Sequence, residues 1–367
     1  MRWAAAAAHR WRPAPSRSSG TCARSPNGYA EDWKRTRRRR GLEADAEIPE
    51  SAESLPADRA PAGQIGEYAR QERARVLTAG ARGLEKLAAG RADEVDDDEY
   101  FGIEAIVLLE GRPALLIQGQ DFPSQQGDWA VLDGHRAAIR DSIARVGRVE
   151  VTGHASLEWL GTAFLVGPDV VMTNRHVAVE FATGDGAGWT FRPGMSARLD
   201  LAEELAAVPG DGSLEFAVTE VVGIHPDVDM ALLRIDTARS GRTPATPVAV
   251  AADPPADVPG RPVYVIGYPA EDGRRNEPEA MRRIFMDVYN VKRLQPGTTT
   301  GLVPGELTVK HDCSTLGGNS GSPVFDLVDH RVLGLHYGGR YGFGNYAVPL
   351  WELVDDPLLS RAQVNWV

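Results

Sequence analysis

Residues 317–323 read Gly317-Gly318-Asn319-Ser320-Gly321-Ser322-Pro323, and this loop lies between a polar segment and an apolar strand that begins at Val324. A serine hydroxyl is a weak nucleophile at neutral pH, so it needs a general base and donors for the oxyanion that it creates. Gly318 can adopt backbone conformations denied to residues with a Cβ, which lets its N–H point the same way as that of Ser320. The loop therefore supplies a candidate nucleophile and oxyanion hole, although such clusters are also typical of ordinary turns.

Two further polar residues adjoin strands predicted upstream of this loop. Residues 161–174 form two apolar runs around a Gly-Pro-Asp turn, and His176 follows almost at once. Asp229 directly precedes the apolar run at 230–235. Taken singly, His176 could be a satisfied surface or core histidine, and Asp229 a turn residue at the start of a strand. Together with Ser320, they offer a base, a carboxylate and a nucleophile.

The order of these three residues carries a resemblance to a known family. With the run Asp-Met-Ala-Leu-Leu at 229–233 and the whole segment 311–325, the chain resembles the chymotrypsin-like serine peptidases, most closely the bacterial glutamyl endopeptidase branch. The resemblance implies that His176 acts as general base and then acid, that Asp229 fixes the His176 tautomer and stabilises its imidazolium, and that Ser320 forms the acyl-enzyme. It also implies an oxyanion hole made by the N–H groups of Gly318 and Ser320.

The same resemblance implies a specificity pocket. Trypsin-type enzymes hold Arg or Lys with an Asp six residues before the nucleophile, and here that position is Ser314. Thr315 and His336 can both donate hydrogen bonds to a carboxylate, so we expect cleavage after acidic residues, particularly Glu. The alternative for His336 is a buried histidine bonded to backbone. The candidate substrate-binding residues are Ser314, Thr315, His336, Gly338 and Gly339.

Short apolar runs separated by Gly, Pro and Asp fill the chain from residue 148, which favours an all-β, chymotrypsin-like double barrel. The predicted strands are 149–152, 163–166, 170–173, 214–222 and 230–235 in the first barrel, and 263–266, 284–291, 307–310, 324–326, 332–336 and 346–349 in the second. Residues 240–260 would connect the barrels, and a helix at 350–361 would close the peptidase domain, 148–367. His176 and Asp229 would face Ser320 across a cleft.

The first 147 residues differ in composition from this pattern. Residues 1–64 are basic and Pro-rich, which predicts a disordered tail. Residues 65–147 predict a mixed α/β extension: an amphipathic helix at 66–90, a hairpin at 101–118 and a second helix at 133–146. These pieces are too few for an independent core, so we expect them to dock on the peptidase or to form a surface for a regulatory partner.

Charge and composition limit the possible partners. Residues 1–40 hold eleven Lys or Arg against two acidic residues and so contribute +9 to the net charge of −11, which leaves −20 on the remainder. An acidic body argues against a broad nucleic-acid interface, and the expected partner is a protein or peptide substrate. No run approaches 18 apolar residues, so we expect no membrane span.

Two cysteines, Cys22 and Cys313, give no disulfide framework. Together with the lack of a signal-peptide pattern, this favours a cytoplasmic location, with secretion as the alternative. Neither a His-Glu-x-x-His motif nor paired Cys-x-x-Cys motifs occur, so we expect no metal and no cofactor. Ser322 occupies the position where the turn of an α/β-hydrolase needs a glycine, which argues against that fold.

Two questions about activity stay open at this stage. Asn319 is uncharged, whereas trypsin-like enzymes carry there an Asp that pairs with a newly cut N-terminus. The enzyme is therefore either latent until cut or active without a free amine near its pocket. The rival to an enzyme is a catalytically idle peptidase fold that binds peptides or partners through the same cleft.

Overall fold

Two six-stranded antiparallel rings organise the described part of the chain. The computed structural model describes residues 78, 79, 82, 86, 111–184, 188–205, 214–238, 244–271, 284–340 and 344–367. All of them lie in the unit Ser51–Val367. The predicted tail at 1–64 lies outside the described residues, and so does most of the predicted helix at 66–90, of which Thr78, Ala79, Arg82 and Lys86 are described as helical.

The described residues form few helices and many strands. The helices are α1 (Val131–Gly134), α2 (Arg136–Ile143) and α3 (Arg175–Phe181), with 3₁₀ helices at Gly127–Ala130, Leu350–Leu353 and Leu359–Ala362. The strands are β1 (Leu115–Leu116), β2 (Val146–Thr152), β3 (Trp159–Leu165), β4 (Val170–Thr173), β5 (Ala182–Gly184), β6 (Trp189–Phe191), β7 (Ser196–Asp200), β8 (Glu215–Ile224), β9 (Ala231–Ile235), β10 (Ala249–Val250), β11 (Pro262–Gly267), β12 (Arg293–Leu302), β13 (Val309–His311), β14 (Pro323–Asp326), β15 (Val332–Arg340), β16 (Gly344–Pro349) and β17 (Asn365–Trp366).

The first barrel contains β2, β3, β4, β9, β8 and β7 in that order, and the pairing of β2 with β7 closes the ring. Alternate residues of its strands point inward, as the pleat requires. The hairpin of β3 and β4 is the one predicted at residues 161–174. The interior of the first barrel is filled by buried apolar side chains that include Val149, Leu165, Val171, Leu199 and Leu233.

The second barrel contains β11, β12, β13, β16, β15 and β14, and the pairing of β14 with β15 closes it. Strand β11 serves two cores at once. Val263 and Val265 face the barrel interior, whereas Tyr264 and Ile266 belong to a separate core that also contains residues from before the first barrel. The two closed rings confirm the predicted all-β, double-barrel fold.

Residues 111–145, here called the extension, pack against the second barrel. Strand β1 pairs antiparallel with β12, so that Leu115 lies opposite Leu294. A hairpin was predicted at 101–118. Its second run contains β1, which pairs with β12, and its first part, 101–110, lies outside the described residues. The helix predicted at 133–146 is divided between α1 and α2, and Val146 already belongs to β2. Helix α2 buries Ile139 and Ile143 against the core that holds Tyr264.

Two fully buried cations at the start of β12 depend on the extension. Lys292 Nζ donates hydrogen bonds to the carbonyls of Ile143 at 3.1 Å and Leu201 at 2.6 Å. Arg293 Nη1 donates to the carbonyl of Ala114 at 2.5 Å, and its Nη2 donates to two further carbonyls at 2.6 Å. Burying an unpaired charge is costly, so each of these contacts matters for stability. One acceptor of each cation belongs to the extension.

The strand predicted at 284–291 is wrong. The apolar side chains of this stretch are buried, which explains the prediction, but Met286, Asp287 and Asn290 have φ angles of 54°, 51° and 64°. These left-handed conformations are incompatible with an extended strand. The strand that pairs with β11 is β12, which begins two residues after this stretch.

The C-terminal segment, predicted as one helix at 350–361, forms two short 3₁₀ helices at Leu350–Leu353 and Leu359–Ala362. It then pairs in parallel with the connector between the barrels through β17 and β10. No helix among the described residues is long and apolar enough to cross a membrane.

Candidate active site

His176 and Asp229 lie side by side next to the first barrel. His176 is the second residue of α3, and Asp229 lies in the loop between β8 and β9. His176 Nδ1 lies 2.7 Å from Asp229 Oδ2, and the His176 backbone N–H donates to Oδ1 at 3.0 Å. An ionised carboxylate only accepts hydrogen bonds, so Nδ1 carries the proton. The Nε2 atom of His176 is therefore free to accept one.

Asp229 is held by the two residues that precede His176. Asn174 Nδ2 donates to the carbonyl of Asp229 at 2.8 Å, and Arg175 Nη2 donates to that of Val228 at 2.8 Å. Burial alone would raise the pKa of Asp229, but the neighbouring His176 and Arg175 lower that pKa by more, and the net pKa lies below its ordinary value. Asp229 is thus a carboxylate at neutral pH.

His225 fixes the other end of the loop that carries Asp229. Its Nδ1 accepts the backbone N–H groups of Asp227 and Val228, both at 3.0 Å, so its proton must sit on Nε2. That Nε2 lies 2.9 Å from Asp356 Oδ2 in the C-terminal segment. The carbonyl of His225 also accepts a hydrogen bond from Arg175 Nη2. Side chains from three parts of the chain thereby define the position of Asp229.

Ser320 lies in a loop, residues 317–322, that is bonded to the first barrel through Thr162 of β3. The Thr162 N–H donates to the carbonyl of Ser320 at 2.8 Å, and its hydroxyl donates to that of Gly318 at 2.8 Å. The carbonyl of Thr162 in turn accepts the hydroxyl of Thr173 at 2.7 Å. Thr173 ends β4, three residues before His176, so two neighbouring strands bring the serine loop and the histidine together.

Gly161 of β3 lies close both to the serine loop and to the helix that carries His176. A Cβ there would lie 2.8 Å from the carbonyl oxygen of Ser320 and 2.9 Å from Cγ2 of Val177, the residue after His176. A larger residue at position 161 would therefore push these two sides apart. The hydrogen bonds among the described residues do not include one between Ser320 Oγ and His176 Nε2. Catalytic hydrogen bonds are often long without substrate and tighten when it binds.

The backbone of the serine loop presents two unused donors. The carbonyl of Gly317 accepts the N–H of Ala270 at 2.6 Å, and because a peptide unit is planar and trans, the N–H of Gly318 points the opposite way. No described residue accepts a hydrogen bond from the N–H of Gly318 or Ser320. Gly318 has φ +82°, and a Cβ there would meet Trp159 and the Tyr268 carbonyl at 2.4 Å, so only glycine fits.

Asn319 is buried between these two donors and is fully engaged with protein. Its Oδ1 accepts a hydrogen bond from Gln295 Nε2 at 2.9 Å, and its Nδ2 donates to the carbonyl of Leu316 at 3.3 Å. The neutral amide thus holds the loop by hydrogen bonds. A charged partner is not required at this position.

The candidate pocket residues Ser314 and Thr315 both use their hydroxyls within the protein. Ser314 Oγ donates to the carbonyl of Arg112 at 2.6 Å, and Thr315 Oγ1 donates to Asn345 Oδ1 at 2.8 Å. Asn345 also donates to the carbonyl of Cys313 at 2.5 Å. The other two candidate pocket residues, Gly338 and Gly339, belong to β15 and pair with β16, where they lie opposite Tyr346 and Asn345.

His336 is buried in β15 and forms a pair with His311 of β13. His336 Nδ1 lies 3.1 Å from His311 Nε2, and the two rings meet edge to face. The serine loop is bonded to the same strand, because the Gly321 N–H donates to the carbonyl of His336 at 2.9 Å. Burial lowers the pKa of His311 to about 4 and also lowers that of His336, so both rings are neutral at pH 7.

One group of carboxylates among the described residues is close enough to surround a metal ion: Glu150, Asp200 and Glu203. Arginine side chains already engage this group. Arg148 lies 2.5 Å from Glu150 and 3.5 Å from Glu203, and Arg198 also contacts Glu150. These charges account for the cluster as an ion-pair network on the outside of the first barrel.

The positions that support the candidate site were not predicted from sequence. They are Thr162, Asn174, Arg175 and His225, together with Trp159. His225 lies only four residues before Asp229, so its nearness in sequence was a usable signal. Asn174 and Arg175 likewise lie directly before His176, whereas Thr162 and Trp159 act through contacts distant in sequence that no local pattern reveals.

Comparisons with known proteins identify the family. The family model described as a trypsin-like peptidase domain matches residues 161–335. A probable serine protease of Lysobacter enzymogenes is 30% identical over 312 residues, which cover 76% of this chain and 80% of that protein. A glutamyl endopeptidase of Staphylococcus epidermidis is 25% identical over 204 residues, or 55% of this chain and 62% of the relative, so the chain spans less than two thirds of that protein.

Among solved structures, the active form of a Mycobacterium tuberculosis serine protease overlaps 68% of this chain and 92% of its own, with 20% identity and a TM-score of 0.42. The extent of the match to the Lysobacter protein decides the family. The chain belongs to the trypsin-like serine proteases.

Proposed function

We propose that His176, Asp229 and Ser320 are the catalytic triad of this protease and that it cleaves peptide bonds through an acyl-enzyme. The observation that carries the proposal is the two-point contact of Asp229 with His176, at 2.7 and 3.0 Å, beside a serine loop with two unused N–H donors. An idle binding fold has no chemical need for this combination.

Each residue has a defined role in the reaction. Ser320 Oγ attacks the scissile carbonyl while His176 Nε2 takes its proton, and the resulting oxyanion accepts hydrogen bonds from the N–H groups of Gly318 and Ser320. His176 then protonates the leaving amine, which breaks the peptide bond. Water attacks the acyl-enzyme by the same route in reverse. Asp229 keeps the imidazole in the required tautomer and stabilises its charged form.

The preferred substrate side chain in this proposal is a carboxylate, that of Glu in particular. The position that would hold a cation-binding anion is Ser314, an uncharged residue whose hydroxyl is occupied by the carbonyl of Arg112. A basic side chain would therefore find no counter-charge there. One of the relatives is named a glutamyl endopeptidase, which agrees with this direction.

The tautomers of the histidine pair also favour an acidic side chain. His311 is fully buried and its Nδ1 has no partner. An unused lone pair costs less than an orphaned buried N–H, so the proton of His311 sits on Nε2 and is donated to His336 Nδ1. The proton of His336 is then on Nε2, and no described residue accepts it. A neutral N–H donor is left for a substrate carboxylate. Thr315 would join it by exchanging its bond to Asn345.

Three measurements test the proposal. A serine-directed fluorophosphonate should label the full chain at Ser320, detected by intact mass and peptide mapping, and Ser320→Ala should lower kcat by about 10⁴ to 10⁶ fold without changing the unfolding midpoint. A peptide library should then show cuts after Glu in preference to Gln. Labelling with cuts elsewhere would keep the triad and refute the pocket. Unchanged hydrolysis by Ser320→Ala would refute the triad, and absence of labelling would favour the binding module.

A further inference from the structure

A part of the extension just before β1 is bonded to the segment that carries the candidate pocket residues. The pocket segment, residues 311–316, carries Ser314 and Thr315, and the extension reaches it through Arg112. The backbone carbonyl of Arg112 accepts the hydroxyl of Ser314 at 2.6 Å. Contact between the two parts is therefore made at a residue proposed to line the pocket.

The side chain of Arg112 makes a second contact with the same segment. Its Nη2 forms an ion pair with Asp312 Oδ2 at 2.6 Å and also donates to Thr298 Oγ1 at 3.3 Å. Thr298 in turn donates to both oxygens of Asp312, from its N–H at 2.7 Å and from its hydroxyl at 3.0 Å. The guanidinium lies 5.7 Å from the ring of Trp129, which is also part of the extension.

Asp312 is the reason why this contact bears on specificity. It lies two residues before Ser314, and its carboxylate is half-buried. Burial by itself raises the pKa of Asp312, but its hydrogen bonds and its pairing with Arg112 lower that pKa by more, so Asp312 stays ionised. Without Arg112, a negative charge would remain unpaired behind the pocket and would repel a substrate carboxylate.

We propose that Arg112 is a positioning residue for substrate selection: it neutralises Asp312 and, through its carbonyl, holds Ser314 in place. This inference rests on the acidic preference proposed above. It makes the extension part of the machinery that chooses the substrate. The enzyme would thus owe its discrimination of charge to a segment outside the two barrels.

The test compares two peptides that differ only in Glu or Gln before the cut, at low ionic strength, where charge effects are least screened. Arg112→Ala should lower kcat/KM for the Glu peptide by about tenfold, mostly through KM, and change the Gln peptide by less than about twofold. Adding Asp312→Asn to Arg112→Ala should restore the ratio of Glu to Gln cleavage, because it removes the unpaired charge. A merely structural role predicts no such rescue.

Arg136→Ala is the matched control. Arg136 also belongs to the extension, pairs with Asp121 at 2.5 Å and lies 4.3 Å from the ring of Phe122, with exposure similar to that of Arg112. It should affect stability in a comparable way without changing the ratio of Glu to Gln cleavage. If Arg112→Ala does not fold, Ser314→Ala breaks the other contact and should also lower that ratio.

The outcomes separate the inference from the function on which it rests. If the wild type cuts mainly after residues other than Glu, the proposed acidic preference is refuted. The inference about Arg112 still requires that Arg112→Ala lowers the ratio of Glu to Gln cleavage by that enzyme. Equal losses on both peptides, no rescue by Asp312→Asn, or the same shift in Arg136→Ala would overturn the inference. A wild type inactive on all peptides would overturn it as well.

Discussion

The proton on His225 Nε2 meets a carboxylate 131 positions later in the chain, that of Asp356. His225 does not contact the reacting atoms in the proposed mechanism. It shapes the loop that carries Asp229 by accepting two backbone N–H groups on Nδ1. Small errors in the orientation of a catalytic group cost large factors in rate, so this contact should be measurable in kcat.

We therefore expect Asp356→Ala to lower kcat by about tenfold with little change in KM, since the hydrogen bond to His225 is lost together with those that Asp356 Oδ1 accepts from the N–H groups of Leu358 and Leu359. Asp356→Asn keeps an oxygen that can accept the His225 proton, so its activity should stay within about threefold of wild type. Steady-state kinetics with active-site titration separate a lower rate from a lower fraction of active enzyme. Asp355→Ala, an exposed neighbour, is the control. Equal kcat in all three variants would remove His225 from the supporting contacts.

The buried pair of His311 and His336 predicts a pH dependence of stability. The pKa of His311 is about 4 in the folded chain, against about 6.5 for an ordinary histidine, so the unfolded chain binds more protons between these values. Stability is thus fully present above pH 6.5 and falls as pH drops toward 4, by roughly 3 kcal/mol for this residue. Urea unfolding across that range should show the loss, and His311→Asn should flatten the slope. An unchanged slope would contradict the burial of a neutral ring.

At the scale of secondary-structure elements, β12 is the strand that most depends on its surroundings. Its first residue, Arg293, and the residue before it, Lys292, are fully buried cations whose acceptors include carbonyls of the extension. Strand β1 covers the same end of β12. The packing of the second barrel therefore depends on the extension.

Removal of residues 1–147 should consequently abolish a cooperatively folded peptidase instead of activating it. Lys292 and Arg293 would each lose an acceptor, and the core around Tyr264 would be exposed to water. Circular dichroism and urea unfolding of the 148–367 fragment, beside the full chain, measure this. A folded fragment that reacts with a fluorophosphonate at Ser320 would show instead that the extension is dispensable and that trimming at this point can release activity.

The elements differ in how well the sequence predicts them. The hairpin of β3 and β4 is predictable because its apolar alternation and its turn residues are local. Strand β12 is not, since its buried positions include Arg293 and Gln295, whose burial depends on partners far away in sequence. The reverse error occurs at 284–291, where a run of buried apolar residues follows a left-handed path.

The candidate site also contains residues that the local sequence predicts and residues that it does not. The motifs around His176, Asp229 and Ser320 are short and rigidly spaced, so the resemblance to a known family reveals them. The hydrogen bonds from Thr162 of β3 to the serine loop join residues that are 156 and 158 positions apart in the chain. Such contacts follow from the closure of the two barrels and leave no mark in the local pattern.

For the whole molecule, charge is the property that bears on function. Beyond residue 40 the chain carries a net charge of −20, while the proposed substrates are acidic. Like charges slow the approach of a substrate, and salt screens them over about 10 Å at 0.1 M.

Added salt should therefore raise kcat/KM for a peptide that carries several acidic residues, by about twofold to tenfold between 0.02 and 0.3 M ionic strength. A neutral peptide with the same cleavage site should respond weakly. Stopped-flow or steady-state assays over a salt series give the slope. A decrease for the acidic peptide would mean that local positive potential at the cleft outweighs the net charge.

Thr162 connects three parts of the molecule: its own strand β3 in the first barrel, the serine loop, and, through Thr173, strand β4, which leads to His176. Heat or denaturant cannot separate the barrels without breaking these bonds. We therefore expect a form in which these bonds are broken not to turn over substrate. Activity should therefore be lost on heating at the same temperature at which the two barrels separate, and not at a lower one.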